Sequence, residues 1–215
     1  MRNRLTHLLA GAVLLLGLAG LAQAKDSNAD LYDAVAPADS AFVRVLNLSS
    51  GSVEASLSGK INPQKVAGGQ LSGYRFVPKG VHRIAIGGQS LEADLKPNTA
   101  STVIYEGGKL TLLADTFVNE PKKAQVAFYN LTAEPVALKT VDGKHAIVEA
   151  LPQNQTGGRM VNEIKIAFAA YAGDKSLATF DEQFLKKGRS YSYLLLPAGS
   201  GFRTISLANA IDPSE

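Results

Sequence analysis

The chain has 215 residues, with 22 Lys or Arg against 19 Asp or Glu, so its formal net charge is +3. It contains no cysteine and no tryptophan. Without cysteine the chain cannot carry a disulfide framework, a thiol nucleophile, a cysteine-ligated zinc ion or an iron–sulfur cluster. A composition that is 46% hydrophobic and 19% charged is also too apolar for a disordered protein.

The first 24 residues predict a cleavable secretory signal peptide. Arg2 and Arg4 give a positive start, and an uncharged stretch from Leu8 to Leu21 follows. Residues 22–24 then read Ala-Gln-Ala, which matches the small-x-small cleavage pattern. The uncharged stretch is shorter than the roughly 20 apolar residues of a transmembrane helix. We therefore expect export, cleavage after Ala24 and no membrane span in the mature chain.

Removal of the predicted signal peptide changes the charge balance. The peptide contains two arginines and no acidic residue, which leaves 20 basic against 19 acidic side chains. No run of five like charges appears, and the parts before and after residue 115 are each nearly balanced. The mature chain therefore lacks the basic stretch that is typical of a nucleic-acid-binding protein.

Short apolar runs separated by turn residues predict an all-β chain. No segment keeps a helical period, and the turn residues recur at the spacing that is typical of sandwiches and barrels. Gly87-Gly88 and Gly107-Gly108 are typical of tight hairpin turns. In the first half, the apolar runs span residues 41–48, 53–57, 74–77, 81–86, 91–95, 101–105 and 110–113.

The second half of the chain repeats the first. Residues 126–132 resemble residues 43–49, and this places Asn47 and Asn130 at equivalent positions. We therefore predict two tandem antiparallel β-sandwich domains, each with roughly seven strands, joined by a short linker. A single continuous barrel is the alternative. The predicted segments are a signal peptide (1–24), an extended N-terminal arm (25–40), domain 1 (41–115), a linker (116–123) and domain 2 (124–215).

Three further features carry structural predictions. Asn47 and Asn130 each begin an Asn-Leu-Ser/Thr sequence, and we expect their amides to bind backbone in the following turn. Residues 151–160 are polar and rich in glycine, and they predict a long loop in the second domain. Neither Gly68-Gly69 nor Gly157-Gly158 fits a phosphate-binding loop.

Candidate catalytic residues are few. His82 and His145 have no second histidine at metal-ligand spacing, so we expect no metal and no cofactor. Asp142 precedes His145 at a spacing by which some acyl hydrolases supply an Asp and a His to a serine. However, Asp142-Gly143 is also the strongest signal for a hairpin turn, and no Gly-x-Ser-x-Gly motif occurs. We favour the turn and expect no catalytic residue.

Aromatic side chains offer a possible carbohydrate site. Tyr191 and Tyr193 fall on one face of a predicted strand, and Leu194 and Leu196 share the other face. Planar aromatic rings can stack on the apolar face of a sugar. The two tyrosines are therefore candidate polysaccharide-binding residues, although the core or its rim is the alternative location for them.

The start of the predicted mature chain resembles the AlgF family of alginate biosynthesis proteins. The resemblance lies in Leu31-Tyr32, in Ala36-Pro37 and in residues 40–47, and the Leu138–Lys144 turn adds to it. It implies a non-catalytic periplasmic factor that is required for O-acetylation of the exopolysaccharide alginate. It also implies partners, namely periplasmic O-acetyltransferases and the membrane-bound acyltransferase complex.

On this basis we expect an adaptor that docks an acetyltransferase through the Leu31–Arg44 segment and through exposed strand edges. The predicted partner-binding residues are Leu31, Tyr32, Pro37, Phe42 and Arg44. One alternative is a module that binds alginate through Tyr191 and Tyr193 and presents it to the enzyme. A second alternative is an acetyl relay or transferase that uses a serine with His82 or His145.

Overall fold

The structure, a computed structural model, describes residues 36–116, 118 and 120–212. The predicted signal peptide, Leu31 and Tyr32 lie outside the described residues. The described residues form eighteen β-strands. Within this part of the chain, no helix has the length and the hydropathy needed to span a membrane.

The first eight strands form a sandwich of two four-stranded sheets. They are β1 (Ser40–Asn47), β2 (Val53–Leu57), β3 (Gln64–Val66), β4 (Arg75–Pro78), β5 (Gly80–Ile86), β6 (Gln89–Leu95), β7 (Ala100–Glu106) and β8 (Lys109–Ala114). The inner sheet has the order β4-β1-β7-β8 and the outer sheet the order β3-β2-β5-β6. Buried apolar side chains from both sheets, including Val45 and Ile84, fill the space between them.

The remaining ten strands form a second sandwich of the same design. They are β9 (Ala124–Asn130), β10 (Val136–Thr140), β11 (Ala146–Leu151), β12 (Gln155–Val161), β13 (Ile164–Ile166), β14 (Phe168–Ala172), β15 (Lys175–Thr179), β16 (Gln183–Leu185), β17 (Ser190–Ala198) and β18 (Gly201–Ala208). Its inner sheet has the order β12-β9-β17-β18, and its outer sheet has the order β11-β10-β14-β15. Strands β13 and β16 form a small separate sheet.

This architecture confirms the predicted all-β fold with two tandem sandwich domains. The Gly87-Gly88 and Gly107-Gly108 turns each connect two strands through two residues with positive φ, as a tight hairpin requires. Two details differ from the expectation. The domains have eight and ten strands, and each inner sheet contains one parallel pair, β1 with β7 and β9 with β17. The boundaries of the predicted domains stay predictions.

The inner sheets of the two sandwiches pack face to face. Leu46 of β1 and Leu194 of β17 belong to one buried cluster at this junction, whereas Val45 and Leu195 face the cores of their own sandwiches. The central inner strands are therefore covered on both faces. Strands covered in this way are apolar at nearly every position, which explains the continuous apolar runs that start each half of the chain.

The predicted long loop at residues 151–160 is wrong, because most of it belongs to strand β12. Glycine there serves close packing instead of a turn. A Cβ on Gly157 would lie 2.8 Å from Val148 Cγ1, and a Cβ on Gly158 would lie 2.7 Å from Thr116 Cγ2. Glycine inside a strand often marks such a close approach. The glycine content therefore suggested a loop, whereas the segment pairs with β9 as a strand.

The predicted role of the paired asparagines is confirmed, first at Asn47. Its Oδ1 accepts hydrogen bonds from Ser49 N at 3.0 Å and from Ser49 Oγ at 2.7 Å. Its Nδ2 donates to Gly51 O at 2.8 Å and to Val66 O at 3.0 Å. The fully buried amide therefore closes the turn after β1 and also binds it to β3.

Asn130 makes the equivalent set of hydrogen bonds in the second domain. Its Oδ1 accepts from Thr132 N at 3.0 Å and from Thr132 Oγ1 at 2.7 Å. Its Nδ2 donates to Glu134 O and to Leu151 O, each at 2.7 Å. Both copies of the repeat therefore close the turn after their first strand with the same set of asparagine hydrogen bonds.

Candidate functional site

The structure separates the residues that were predicted to bind a partner. Leu31 and Tyr32 lie outside the described residues. Pro37 is exposed and Phe42 is half-buried, so both are accessible. Arg44 is only 1% exposed, because the second sandwich covers the inner sheet on which it lies. The expectation that Arg44 contacts a partner directly is therefore corrected.

Arg44 binds two polar residues of its own domain. Its Nε donates to Thr102 Oγ1 at 2.9 Å and lies 3.6 Å from Asp115 Oδ2. The side chains of Arg44 and Asp115 are each 1% exposed. Thr102 Oγ1 donates in turn to the Asp115 carboxylate at 2.8 Å. Since a buried charge is tolerated only when it is paired and hydrogen-bonded, Asp115 supplies the charge that balances the guanidinium.

The other end of the Arg44 side chain binds the second domain. Its Nη1 donates to Asn209 Oδ1 at 2.8 Å. Its Nη2 donates to Tyr129 Oη at 2.7 Å and to Ser192 Oγ at 2.9 Å. One side chain therefore joins the two inner sheets by three hydrogen bonds. We call Arg44, Tyr74, Thr102, Asp115, Tyr129, Ser192 and Asn209 the Arg44 cluster.

The internal duplication explains how the junction between two similar domains accommodates a single buried arginine. Three pairs of residues occupy equivalent places in the two domains, namely Arg44 and Ala127, Thr102 and Ser192, and Asp115 and Asn209. The first domain therefore supplies one cation and one carboxylate, and the second supplies an alanine and a neutral amide at the same places. As a result, the junction buries a single balanced ion pair.

Two tyrosines complete the cluster. The Arg44 guanidinium carbon lies 4.4 Å from the ring centroid of Tyr74 and 5.4 Å from that of Tyr129, within the range of cation–π attraction. Burial raises the pKa of Tyr129 to about 12, although the Arg44 charge opposes this. Burial also raises the pKa of Tyr74 well above its ordinary value. Both phenols are therefore neutral at physiological pH, and Tyr74 Oη donates to Asp115 Oδ2 at 2.6 Å.

The sequence pointed to Arg44 but to none of its partners. The sequence feature that could have indicated burial of Arg44 is its position inside an apolar run, between Val43 and Val45. Its partners Thr102 and Asn209 are 58 and 165 positions away along the chain. No local pattern connects residues at such distances, so only the fold brings the cluster together.

A cleft of about 140 Å³ opens beside the Arg44 cluster, and both domains line it. Phe42 and Tyr74 line it from the first domain, and Arg189 and Ile211 line it from the second. We call it the Phe42 cleft. The segment after β18 forms one wall, since Tyr74 N donates to Ala210 O at 2.9 Å and Ile211 forms a parallel bridge with Tyr74. The cleft therefore depends on how the two domains are joined.

Tyr191 and Tyr193 do not form an exposed platform for a sugar. They share one face of β17, and Leu194 and Leu196 share the other, as the sequence predicted. However, the tyrosine face packs into the core of the second sandwich, where Tyr193 is fully buried. Its ring centroid lies 5.2 Å from that of Phe168. The predicted polysaccharide-binding role is corrected, because a ring enclosed in the core cannot stack on a sugar.

Tyr193→Phe is expected to raise the free energy of unfolding by about 1 kcal/mol. The Tyr193 hydroxyl is buried and finds no hydrogen-bond partner among the described residues, so its removal relieves a desolvation cost. Urea unfolding followed by circular dichroism measures the change. Tyr191→Phe is the control and should lower stability, because Tyr191 Oη accepts from Lys186 N at 2.8 Å and donates to Phe184 O at 3.0 Å. A less stable Tyr193→Phe protein would contradict the prediction.

The Asp142–His145 segment forms the predicted hairpin turn between β10 and β11. Asp142 Oδ1 accepts hydrogen bonds from Thr140 Oγ1 at 2.6 Å and from Lys144 N at 3.2 Å. These bonds lower the pKa of the exposed Asp142 carboxyl, with the Thr140 bond the larger cause. The carboxylate therefore closes a turn, and no bond from it to the His145 ring is present.

His82 contacts a serine on the surface of the first domain. Its Nδ1 lies 3.2 Å from Ser58 Oγ, and its Nε2 lies 2.7 Å from Pro78 O. A serine–histidine mechanism uses a carboxylate to orient and stabilise the imidazolium, and the Pro78 carbonyl lacks that charge. Ser58 Oγ also accepts from Arg83 N at 3.0 Å. We interpret the pair as a contact that fastens β5 to the turn after β2.

Metal-ligating side chains do not gather within residues 36–116, 118 and 120–212, since no group of three or more His, Asp or Glu there could hold an ion. The Arg44 cluster joins the two domains by hydrogen bonds, and the Phe42 cleft opens beside it with lining residues from both domains.

Comparison with known proteins identifies similar chains. A family model described as "Alginate O-acetyl transferase AlgF" matches residues 13–192. The alginate biosynthesis protein AlgF of Azotobacter vinelandii is 33% identical over 179 residues, which cover 83% of this chain and 82% of that protein. A solved C-terminal domain of AlgF from Pseudomonas aeruginosa is 25% identical, covers 41% of this chain and 99% of that domain, and has a TM-score of 0.38. The N-terminal domain from the same organism is 32% identical, with 37% and 98% coverage and a TM-score of 0.34.

Proposed function

Since this chain belongs to the AlgF family, we propose that it serves alginate O-acetylation as a non-catalytic periplasmic adaptor. The family description refers to alginate O-acetyl transfer, and the Azotobacter relative is named for alginate biosynthesis. In this proposal, separate periplasmic O-acetyltransferases and a membrane-bound acyltransferase carry out the chemistry. This chain binds them and holds them together, and its signal peptide directs it to the periplasm.

The Arg44 cluster is the observation that carries this proposal. Its hydroxyl, amide and carboxylate groups bind the guanidinium inside the domain junction. They therefore hold the two domains together. The junction fixes two sandwiches against each other and leaves the Phe42 cleft at its edge. A rigid scaffold with an aromatic side chain at a cleft suits protein docking, because binding energy concentrates at such anchors.

The two alternatives have less support. The alginate-binding alternative depended on Tyr191 and Tyr193, and both side chains are buried and cannot stack on a sugar. Among the described residues, the Ser58–His82 contact is the pair that an acetyl relay could use, and a neutral carbonyl orients its imidazole. We expect His82→Ala and His145→Ala strains to keep normal polymer acetylation, and a loss of acetyl groups in either would favour the relay.

Phe42→Ala is expected to weaken capture of the O-acetyltransferase by about tenfold, the effect of removing an aromatic anchor from an interface. The affinity-tagged protein is purified from a strain that makes acetylated polymer, and the transferase is quantified by mass spectrometry. Val81→Ala is the matched control, since Val81 is an exposed apolar residue of the same domain, 68% accessible. A thermal melt confirms that both variants remain folded.

Deletion of the gene tests the proposed role itself. We expect normal amounts of polymer with few acetyl groups, and the Phe42→Ala gene should restore acetylation less well than Val81→Ala. Loss of the polymer itself would point to a role in synthesis or export. A wild-type protein that captures no transferase would overturn the adaptor proposal.

A further inference from the structure

A groove of about 580 Å³ lies along β11 and β12 on the second domain. Its basic lining residues are Lys123, Lys144, His145 and Arg159. They come from three separate stretches of the chain, before β9, before β11 and within β12. Among the described residues that line the groove, Glu149 is the one carboxylate. The fold therefore concentrates positive charge that is spread evenly along the sequence. We call this feature the basic groove.

The charges in the basic groove are weakly compensated. Lys123 Nζ donates to Asn162 Oδ1 at 2.5 Å, and Arg159 Nη1 donates to Ala146 O at 2.8 Å. Both acceptors are neutral. The Asp142 carboxylate lies 3.7 Å from Lys144 Nζ and offsets the charge of that lysine, but Lys123 and Arg159 together outnumber Glu149, the one carboxylate among the described lining residues. The groove thus presents net positive charge to an approaching molecule.

The floor and the walls of the groove favour a polypeptide as its occupant. Ile147, Met160 and Val161 are half-buried and line the groove between the basic side chains, and methionine adapts to varied apolar shapes. Both β11 and β12 lie at the edges of their sheets, where backbone groups can pair with an extended segment. A segment that carries acidic and apolar side chains satisfies all three features. A uronate polymer has the carboxylates but neither apolar side chains nor backbone amides.

The first domain contains a groove of similar size without this charge. It measures about 600 Å³, and its charged lining residues among those described are Glu54 and Arg83. One cation and one carboxylate leave it balanced. The positive charge of the basic groove is therefore not a consequence of the shared sandwich geometry, and the first-domain groove provides a natural control.

We infer that the basic groove is a docking surface for an acidic, extended segment of a partner protein. The inference rests on the proposed adaptor function, because it adds a second surface by which the adaptor binds the acetylation machinery. The basic groove lies on the second domain, while the Phe42 cleft lies at the domain junction. An adaptor with two separate surfaces can hold two partners at once.

Zero-length cross-linking tests the identity of the occupant. A carbodiimide couples lysine amines to carboxylates that lie in direct contact, and mass spectrometry then identifies the joined peptides. In envelopes that make acetylated polymer, we expect Lys123 and Lys144 to be linked to Asp or Glu of an O-acetyltransferase or of its membrane-bound partner. Links from these lysines to uronate residues would assign the groove to the polymer and overturn the inference.

A charge-neutralising double variant tests the contribution of the groove. We expect Lys144→Gln with Arg159→Gln to weaken capture of the linked partner by about tenfold and to reduce its dependence on salt, since electrostatic contacts are screened. The control is Lys79→Gln with Arg83→Gln, which removes the same charge from the exposed surface of the first domain. Thermal melts establish that both double variants fold.

The outcomes separate this inference from the adaptor proposal. If the wild-type protein captures no transferase, the adaptor proposal fails. If the wild-type protein captures the transferase and the groove variant captures the cross-linked partner as well as the wild type does, the adaptor proposal stands and the basic groove is not the docking surface. Cross-links that form only outside Lys123 and Lys144 would contradict the inference in the same way.

Discussion

Arg44→Ala lowers the free energy of unfolding by about 3–5 kcal/mol, the expected cost of breaking a buried ion pair. The substitution leaves the Asp115 carboxylate buried without its cation and removes the hydrogen bonds to Tyr129, Ser192 and Asn209. Urea unfolding followed by circular dichroism measures the loss. Arg83→Ala is the control, because Arg83 is exposed on the first domain and should change stability by no more than about 0.5 kcal/mol.

A double-mutant cycle separates the loss of charge balance from the loss of packing. Arg44→Met keeps most of the side-chain volume but leaves Asp115 unpaired. Adding Asp115→Asn removes the unpaired charge and makes the first domain resemble the second, which has Asn209 at the equivalent position. We expect the double variant to be more stable than Arg44→Met alone. Simple additivity of the two losses would show that Asp115 is not the counter-charge of Arg44.

Asn130→Ala is expected to cost about 2–4 kcal/mol, because it leaves several buried backbone groups without partners. The amide binds Thr132 N, Glu134 O and Leu151 O within the described structure, and alanine replaces none of these bonds. The change is measured by urea unfolding. Asn162→Ala, at an exposed position, is the control and should be close to neutral.

The duplicate copy provides an independent check of this prediction. Asn47→Ala removes the same set of bonds in the first domain and should cost a similar amount. Asn130→Asp should cost more than Asn130→Ala at pH 7, since a carboxylate would face the Glu134 and Leu151 carbonyl oxygens at short range. An Asn130→Asp protein as stable as the wild type would refute the assigned donor role of Nδ2.

The features that the sequence predicted correctly are those formed within a few residues of the chain. The paired asparagines close turns two to four residues ahead. The Gly87-Gly88 and Gly107-Gly108 turns reverse the chain in two residues. The opposite faces of Tyr193 and Leu194 follow from the period of a strand. Each of these arrangements depends on local stereochemistry, so the residues themselves are sufficient evidence.

By itself, then, the amino-acid sequence determined the all-β class, the tandem duplication, the turns and the two faces of each strand. Only the tertiary structure decided which face of each strand is buried and which part of the protein packs against it. Because the two inner sheets stack, Arg44 is buried at a junction, and both faces of β17 are buried, which encloses Tyr193. Antiparallel pairing with β9 made residues 155–161 a strand, and separate stretches of chain met to form the basic groove. These outcomes depend on contacts between residues far apart in the chain, which no local pattern specifies.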